Sequence, residues 1–192
     1  DRIIVPSLAT KKDLLELGFE EKKIKVIFEA ASEDFKPKSK EEVDEIKKKY
    51  QIRGDYIISV GVGGRKNTDR LVSAYEQAKV GEDFSLVLVG SDNKKFENER
   101  GIKAVGRLNE KELAVLYSGA KMLLYPSLYE GFGLPILQAF ACHCPVVTSN
   151  VSSMPEVAGG AAVLVDPYEV GSMIEGIKSA LKEKDDLIKK GL

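Results

Sequence analysis

Short, uninterrupted apolar runs recur along the chain, and each is followed by a glycine or a polar turn. Valine, isoleucine and leucine runs that do not alternate with polar residues are typical of strands covered on both faces. They predict strands at residues 2–5, 24–28, 56–61, 84–90, 102–106, 120–127, 145–149 and 161–166. Several runs lead into stretches of helical period. Strands interleaved with helices connect through right-handed crossovers, so the pattern predicts a doubly wound α/β fold around an open parallel sheet.

A polar stretch at residues 29–40, which contains Pro37 and few branched residues, interrupts this alternation and is predicted to be a linker. The chain before it amounts to one strand, helix and strand, which is too little to bury a core alone. We therefore expect residues 1–36 to be the end of a preceding domain with its linker, and residues 37–192 to form a second, nearly complete domain.

Composition narrows the possible partners. The chain has 192 residues, with 29 Lys and Arg against 30 Asp and Glu, so its near-zero net charge argues against a nucleic-acid partner held by bulk charge. No apolar run approaches the roughly 20 residues that cross a bilayer, and we expect a soluble, cytoplasmic protein. Cys142 and Cys144 flank His143, the single histidine. Such close neighbours cannot easily turn onto one ion, and no second Cys/His pair exists, so buried thiols are expected and no metal site.

Glycines and small polar residues gather after the predicted strands. In an open α/β sheet, ligands bind at the carboxyl ends of the strands, and these segments all fall on that edge. A ligand cleft is therefore expected there, formed by residues 61–67, 90–93, 106–112, 127–133 and 149–156.

The strongest local feature is EGFGLPILQAF, in which Gly131 and Gly133 flank Phe132 and Pro135 suits the first turn of a helix beginning near Leu134. Glycines allow the backbone to approach an anion closely, and the start of a helix offers unpaired N–H groups. A phosphate is therefore the predicted ligand. An ordinary strand-to-helix turn, with glycines that serve only geometry, is the alternative.

A second glycine loop, GVGGRKN, brings Arg65 and Lys66 to the same edge, where a diphosphate needs cations. The loop matches neither the dinucleotide fingerprint, whose third glycine would fall on Lys66, nor the P-loop pattern.

Glu130 and Gln138 lie on either side of the predicted helix start and can both reach a ligand bound there. A carboxylate at position 130 suits hydrogen bonds from sugar hydroxyls. Its alternative role is that of a charge partner for the helix dipole.

Residues 126–167, PSLYEGFGLPILQAFACHCPVVTSNVSSMPEVAGGAAVLVDP, resemble the signature region of the nucleotide-sugar-dependent family 4 glycosyltransferases, which have the two-domain GT-B fold. The resemblance extends to RKN at 65–67, to LVLVG at 86–90 and to AVGRLNEKELAVLYSGAKMLLYPS at 104–127. VPSLATKKDLLE and IKVIFEAASEDFKP are similar to the segment by which such enzymes pass from the first domain to the second. The chain then corresponds to the C-terminal half of a GT-B fold.

The resemblance implies retaining transfer of a sugar from a nucleoside-diphosphate sugar to an acceptor such as a glycan or a lipid-linked saccharide, with no metal or other cofactor. Lys66, together with Arg65, would neutralise the departing diphosphate, and Glu130 would bind sugar hydroxyls beside the reacting carbon. The other implied contacts are the backbone of Gly131, Phe132, Gly133 and Leu134 for phosphate and sugar, position 138 for the ribose, and the backbone of Arg107 and Leu108 for the base.

Two positions depart from the family pattern. Gln138 stands where the family has a second glutamate, and Val62 stands where many members carry an arginine. An amide has one acceptor oxygen, whereas a carboxylate accepts from both ribose hydroxyls; the exchange is expected to weaken binding by about 1–2 kcal/mol.

The family's acceptor site and its catalytically important histidine belong to a first domain that is expected to precede Asp1, and His143 does not match that residue. We therefore expect this chain to bind nucleotide but to transfer no sugar alone, and any association with the inner face of a membrane to involve the missing domain. A non-catalytic nucleotide-sugar binding module, and an epimerase or phosphorylase of the same architecture, are the alternatives.

Overall fold

The computed structural model describes residues 1–81, 84–90, 96 and 101–191, and within them the chain forms two parallel sheets. The smaller sheet pairs β1 (Ile3–Val5) with β2 (Ile24–Val26), which are connected through α1 (Leu8–Glu16) and a short 3-10 turn at Glu21–Lys23. No residue of α1 is buried. This first unit exposes several large apolar side chains: Ile4, Leu8, Leu17, Phe19, Ile27 and Phe28.

The larger sheet has six parallel strands. Its elements along the chain are α2 (Lys40–Lys49), β3 (Asp55–Val60), α3 (Thr68–Ala78), β4 (Phe84–Val89), β5 (Ile102–Val105), α4 (Glu110–Gly119), β6 (Met122–Tyr125), α5 (Leu134–Ala141), β7 (Val146–Ser149), α6 (Met154–Ala158), β8 (Val163–Val165), α7 (Val170–Lys182) and α8 (Lys184–Gly191). Each predicted strand is present, mostly with shorter bounds than its apolar run. The predicted doubly wound α/β fold is confirmed.

The strand order, β5-β4-β3-β6-β7-β8, reverses between β3 and β6. The chain first builds outward from β3 through β4 to β5, and then returns to the other side of β3 to build β6, β7 and β8. At such a switch point the loops that follow the two central strands run to opposite faces and leave a crevice between them. The loops after β3 and β6 are therefore the ones that border a ligand site in this sheet.

The core consists of two clusters, one on each face of the larger sheet. Tyr56 and Ile58 of β3 belong to the cluster that packs against α4 and α5, whereas Ile57 belongs to the cluster that packs against α3 and α7. All three side chains are fully buried. Because both faces of the strand are covered, both sets of its side chains are apolar, which is the reason for the uninterrupted runs in the sequence.

The predicted linker is packed in part against the larger sheet unit. Phe35 is buried, and its ring lies 6.2 Å from that of Tyr117 in α4. Four residues later Ser39 caps α2, since its hydroxyl accepts from the Glu42 N–H while the Glu42 carboxylate accepts from the Ser39 N–H. The domain boundary at residue 36 stays a prediction. Among the described residues, no helix has both the length and the apolar character that a membrane crossing requires.

Candidate anion site at the sheet switch point

The candidate site lies where the β3–α3 loop (residues 61–67) meets the β6–α5 loop (residues 126–133). The two loops contact each other directly: the Leu128 N–H donates to the Arg65 carbonyl at 3.0 Å. The Asn67 side-chain amide donates to the carbonyls of Pro126 and Pro167 at 3.2 and 2.6 Å. These bonds fix the end of the first loop against the second.

Three of the predicted charged residues converge between these loops. The Lys66 ammonium lies 2.5 Å from one carboxylate oxygen of Glu130, and the Arg65 guanidinium lies 2.8 Å from the other. The Glu130 side chain is 10% exposed and that of Lys66 is 18% exposed, whereas Arg65 is 58% exposed. The site therefore centres on the nearly buried Glu130 carboxylate. Lys66 binds it from the protein interior, and Arg65 binds it from the solvent side.

Tyr125, at the end of β6, completes the surroundings of Lys66. The Lys66 ammonium donates to the Tyr125 hydroxyl at 2.6 Å and lies 4.7 Å from the centre of its ring. A desolvated ammonium over an aromatic face is stabilised electrostatically by the ring. The hydroxyl and the ring of Tyr125 thus both hold the Lys66 ammonium at the carboxyl ends of the strands.

Gly61 explains why Lys66 can reach this position. Gly61 has φ +83°, and a Cβ added there would lie 2.7 Å from Lys66 Cε. The lysine chain therefore passes directly over the glycine. By contrast, a Cβ added at Gly64 would meet no atom within 4 Å. Only the first of these two glycines is required by the packing of the site.

Burial and ion pairing oppose each other in the pKa values of the site. Burial lowers the pKa of Lys66, although Glu130 acts against this. Burial works to raise the pKa of Glu130, but the hydrogen bond and charge of Lys66, together with hydrogen bonds from Ser127 and Tyr125, act against it, so the pKa of this carboxyl lies below its ordinary value. Desolvation also raises the pKa of the Tyr125 hydroxyl. Glu130 is therefore ionised at neutral pH, and the tyrosine is a neutral partner.

Serine and threonine hydroxyls hold the carbonyls of the β6–α5 loop. The Ser152 and Ser153 hydroxyls donate to the Glu130 carbonyl at 2.9 and 3.0 Å, and Ser153 also donates to the Phe132 carbonyl at 2.5 Å. The Gly131 carbonyl accepts from Ser7 at 2.6 Å and from Thr10 at 3.0 Å. Three successive carbonyls of the loop are thus satisfied by side chains.

This arrangement directs the N–H groups of the loop away from those hydroxyls. In a planar trans peptide the C=O of one residue and the N–H of the next point in opposite directions. Within the described residues, the N–H groups of Gly131, Phe132 and Gly133 form no hydrogen bond. Gly133 has φ +107° and precedes α5, and Pro135 lies in the first turn as the sequence predicts. This part of the loop therefore presents three successive N–H groups that have no hydrogen bond within the described residues, and it ends at the start of α5.

The remaining predicted residues lie farther from this ion pair in the chain. Gln138 is 9% exposed on α5, and its side chain forms no hydrogen bond within the described residues. Arg107 and Leu108 follow β5, two strands away from β3; Arg107 is exposed, and Leu108 packs partly against the core. The roles assigned to these three residues stay predictions. Of the predicted edge segment at 90–93, residues 91–93 lie outside the described residues.

Sequence reasoning missed the partners that hold the site residues in place. Tyr125, Ser7 and Thr10 were not singled out, and Ser152 and Ser153 appeared only as part of the edge segment 149–156. The tyrosine is the last residue of β6, and the serine pair follows β7, so both lie at the ligand edge, which is a signal that the sequence does contain. Ser7 and Thr10 lie 124 and 121 residues from Gly131 in the chain, and no local pattern indicates that contact.

The fold and the site define a class: a doubly wound α/β domain with a candidate anion site at the switch point of its sheet. The chain belongs to the family described as glycosyl transferases group 1, whose model matches residues 42–191. The sequence resemblance to glycosyltransferases of the GT-B type is thereby confirmed.

Relatives and solved structures agree with this assignment. The chain is 36% identical over 168 residues to O-antigen chain mannosyltransferase B of Escherichia coli, a match that covers 80% of this chain and 44% of that protein. The crystal structure of WaaG, a glycosyltransferase involved in lipopolysaccharide biosynthesis, superposes with a TM-score of 0.84 at 19% identity, covering 99% of this chain and 57% of that one. The crystal structure of Anabaena HepE in complex with UDP and glucose superposes with a TM-score of 0.85 at 17% sequence identity, covering 99% of this chain and 56% of that one. The chain thus spans about half the length of these proteins.

Proposed function

We propose that this chain is the donor-binding half of a glycosyltransferase, which takes a nucleoside-diphosphate sugar and transfers the sugar with retention of its anomeric configuration. The observation that carries the proposal is made at the sheet switch point: Lys66 and Arg65 bind Glu130 directly before Gly131, Phe132 and Gly133, whose N–H groups form no hydrogen bond within the described residues. Two cations beside a row of N–H donors complement two linked phosphates.

In this proposal Glu130 and the diphosphate compete for the same cations. Without ligand, the carboxylate accepts from both Lys66 and Arg65. An arriving diphosphate takes over these two partners, because it carries more negative charge and can also accept from the loop N–H groups. The released carboxylate is then free to accept from sugar hydroxyls.

The chemistry requires stabilisation of a leaving group. The bond between the anomeric carbon and the diphosphate oxygen breaks. The acceptor oxygen bonds to the same carbon on the same face, and its hydroxyl proton passes to the departing diphosphate. Negative charge develops on the departing diphosphate. Cations and N–H groups that are already in place lower the energy of that state without reorganisation. Gln138 binds the ribose, and the backbone of Arg107 and Leu108 faces the base.

The names of the relatives support a choice of sugar and acceptor to propose. Because O-antigen chain mannosyltransferase B is so named, a nucleoside-diphosphate mannose is the first donor to test, and a glycan or lipid-linked saccharide is the proposed acceptor. The acceptor site belongs to a domain outside this chain, so the chain alone binds nucleotide without turnover, and no metal is required. The protein works in the cytoplasm, and any membrane contact is made by that other domain.

Calorimetry of the protein against UDP, GDP, ADP and dTDP tests the proposal. We expect at least one nucleoside diphosphate to bind. We expect Lys66→Ala to weaken binding of that diphosphate much more than binding of the bare nucleoside. Lys121→Ala is the matched control, because Lys121 is also ion-paired, to Asp55 at 2.9 Å, but precedes β6 at the opposite edge of the sheet. The site assignment is wrong if no diphosphate binds at millimolar concentration, or if Lys66→Ala lowers the affinities for the diphosphate and the nucleoside by the same factor.

A non-catalytic nucleotide-sugar binding module is the second candidate, and Gln138 is the observation that favours it. Its amide stands where the family has a carboxylate, buried and without a hydrogen bond within the described residues. Gln138→Glu in the intact protein separates the two candidates. A large gain in transfer of labelled sugar supports an enzyme, whereas the absence of transfer with either residue supports a binding module.

A further inference from the structure

The carbonyl of Gly131 is held by two hydroxyls that come from outside the six-stranded sheet. Ser7, at the start of α1, donates to it at 2.6 Å, and Thr10 donates at 3.0 Å. Ser7 is fully buried, and its hydroxyl oxygen also accepts from the Thr10 N–H at 3.0 Å, which caps α1. One serine therefore both starts the helix and holds the donor loop.

Polar contacts fix where α1 lies, since none of its residues is buried. The Glu156 carboxylate accepts from the Leu8 N–H at 2.9 and 3.1 Å and from the Ala9 N–H at 3.2 Å. A carboxylate at a helix N-terminus satisfies N–H groups that have no partner within the helix and opposes the positive end of its dipole. Glu156 belongs to α6, so the first unit is attached to the larger sheet unit beside the candidate site.

The orientation of one peptide group in the donor loop depends on this attachment. Gly131 is conformationally permissive, so the peptide group between Gly131 and Phe132 can rotate unless it is held. Because Ser7 and Thr10 bind its carbonyl, the Phe132 N–H points in the opposite direction. That N–H belongs to the row of donors that the proposed function assigns to phosphate.

We propose that Ser7 and Thr10 are positioning residues for the donor: they orient the Gly131–Phe132 peptide for phosphate, and Glu156 holds α1 in the place from which they do so. The inference rests on the proposed function. It adds that residues of the first unit, more than 120 positions away in the chain, tune diphosphate affinity without contacting the ligand.

Ser7→Ala in the full-length protein is the main test, with Ser39→Ala as the matched control. Both serines cap a helix by accepting an N–H, from Thr10 in α1 and from Glu42 in α2, but only Ser7 also reaches the donor loop. We expect Ser7→Ala to weaken diphosphate binding about tenfold, the worth of one hydrogen bond to a charged group, and to leave binding of the bare nucleoside unchanged. Ser39→Ala leaves both affinities unchanged, and Ser7→Thr, which keeps the hydroxyl, restores diphosphate binding.

Thr10→Val provides a second measurement that does not depend on the α1 cap. It removes the hydroxyl that donates to Gly131 and accepts from the Ser7 hydroxyl, but it keeps the Thr10 N–H that Ser7 caps. We expect about threefold weaker diphosphate binding. If Ser7→Ala does not fold, Thr10→Val decides the question in the same way. Wild-type affinity for the diphosphate in either variant overturns the positioning role, and so does an equal loss in Ser39→Ala. If the wild-type protein binds none of UDP, GDP, ADP or dTDP, the proposed function itself falls, and the two failures are thereby distinguished.

Discussion

The two loops that form the candidate site use glycine for different purposes. The β3–α3 loop delivers side chains: Gly61 makes room for the Lys66 chain, while Gly64 lies in open space. The β6–α5 loop acts through its backbone: its carbonyls at 130, 131 and 132 are bound by hydroxyls, and the N–H groups of residues 131 to 133 have no hydrogen-bond acceptor in the part of the chain that the structure describes.

This difference determines which substitutions affect each loop. A loop that acts through side chains can be disabled by replacing the side chains themselves, or the glycine that they pass over. In a loop that acts through its backbone, proline is the one substitution that removes an N–H group, so other tests of such a loop change the neighbours that orient it. Ser153, Ser7 and Thr10 are such neighbours.

The largest expected effect concerns Glu130, which joins the two loops. We expect Glu130→Gln to bind the diphosphate about tenfold more tightly, since the competing carboxylate charge is gone, and to lose about 100-fold or more in sugar transfer. Calorimetry and labelled-donor assays on the intact protein measure the two effects. Glu112→Gln is the control, because Glu112 is also paired with a lysine, Lys49, but on the surface of α4. Weaker diphosphate binding in Glu130→Gln would contradict the competition.

Ser153→Ala tests the backbone loop through a fully buried neighbour. The change removes the hydroxyl bonded to the Phe132 carbonyl and one of the two bonded to the Glu130 carbonyl. We expect the free energy of unfolding to fall by about 2 kcal/mol, and diphosphate binding to weaken with it.

Ser149→Ala is the control for this variant, since Ser149 is equally buried and donates to the Ser127 carbonyl at 2.6 Å, outside residues 130–133. Urea unfolding and calorimetry report stability and affinity separately. Equal loss of affinity in both variants would show that general stability, not loop geometry, sets the binding.

Gly61→Ala tests the side-chain loop. The positive φ costs a residue with a Cβ about 1–2 kcal/mol, and the new methyl group displaces the Lys66 chain. We expect lower stability and weaker diphosphate binding. Gly64→Ala, at the open position, is expected to change stability by less than about 1 kcal/mol and to leave affinity intact. Identical results for the two variants would remove the distinction between these glycines.

The smallest expected effect is the pH dependence that Glu130 contributes to stability. Burial raises its pKa, but Lys66 and the hydrogen bonds from Ser127 and Tyr125 together lower it further, so the pKa in the folded protein lies below the ordinary value of 4.5. The folded state thus favours the ionised form, so the contribution is present above that ordinary value and is lost as pH falls through the folded pKa. Urea unfolding of wild type and Glu130→Gln should give a stability difference that shrinks below about pH 4.5. A constant difference would contradict the ion pair.

Much of the fold and part of the site could be predicted from the sequence. The apolar runs located all the strands of the described residues, because a strand covered on both faces has no polar positions to interrupt it. The glycines and charges that follow those strands located Lys66, Arg65 and Glu130 at one edge. The predicted domain boundary, the absence of a metal and the roles of Gln138, Arg107 and Leu108 are still predictions.

Local sequence was enough to predict which residues lie at the ligand edge, because a glycine or a polar turn marks the end of each strand. Which of these residues meet depends on the tertiary structure. The reversal of strand order placed the loops after β3 and β6 side by side, and Glu130 between two cations. The same is true of Ser7 and Gly131, whose hydrogen bond joins positions 124 residues apart. Such contacts depend on how whole helices and strands pack together, and a sequence pattern within one segment does not predict that packing.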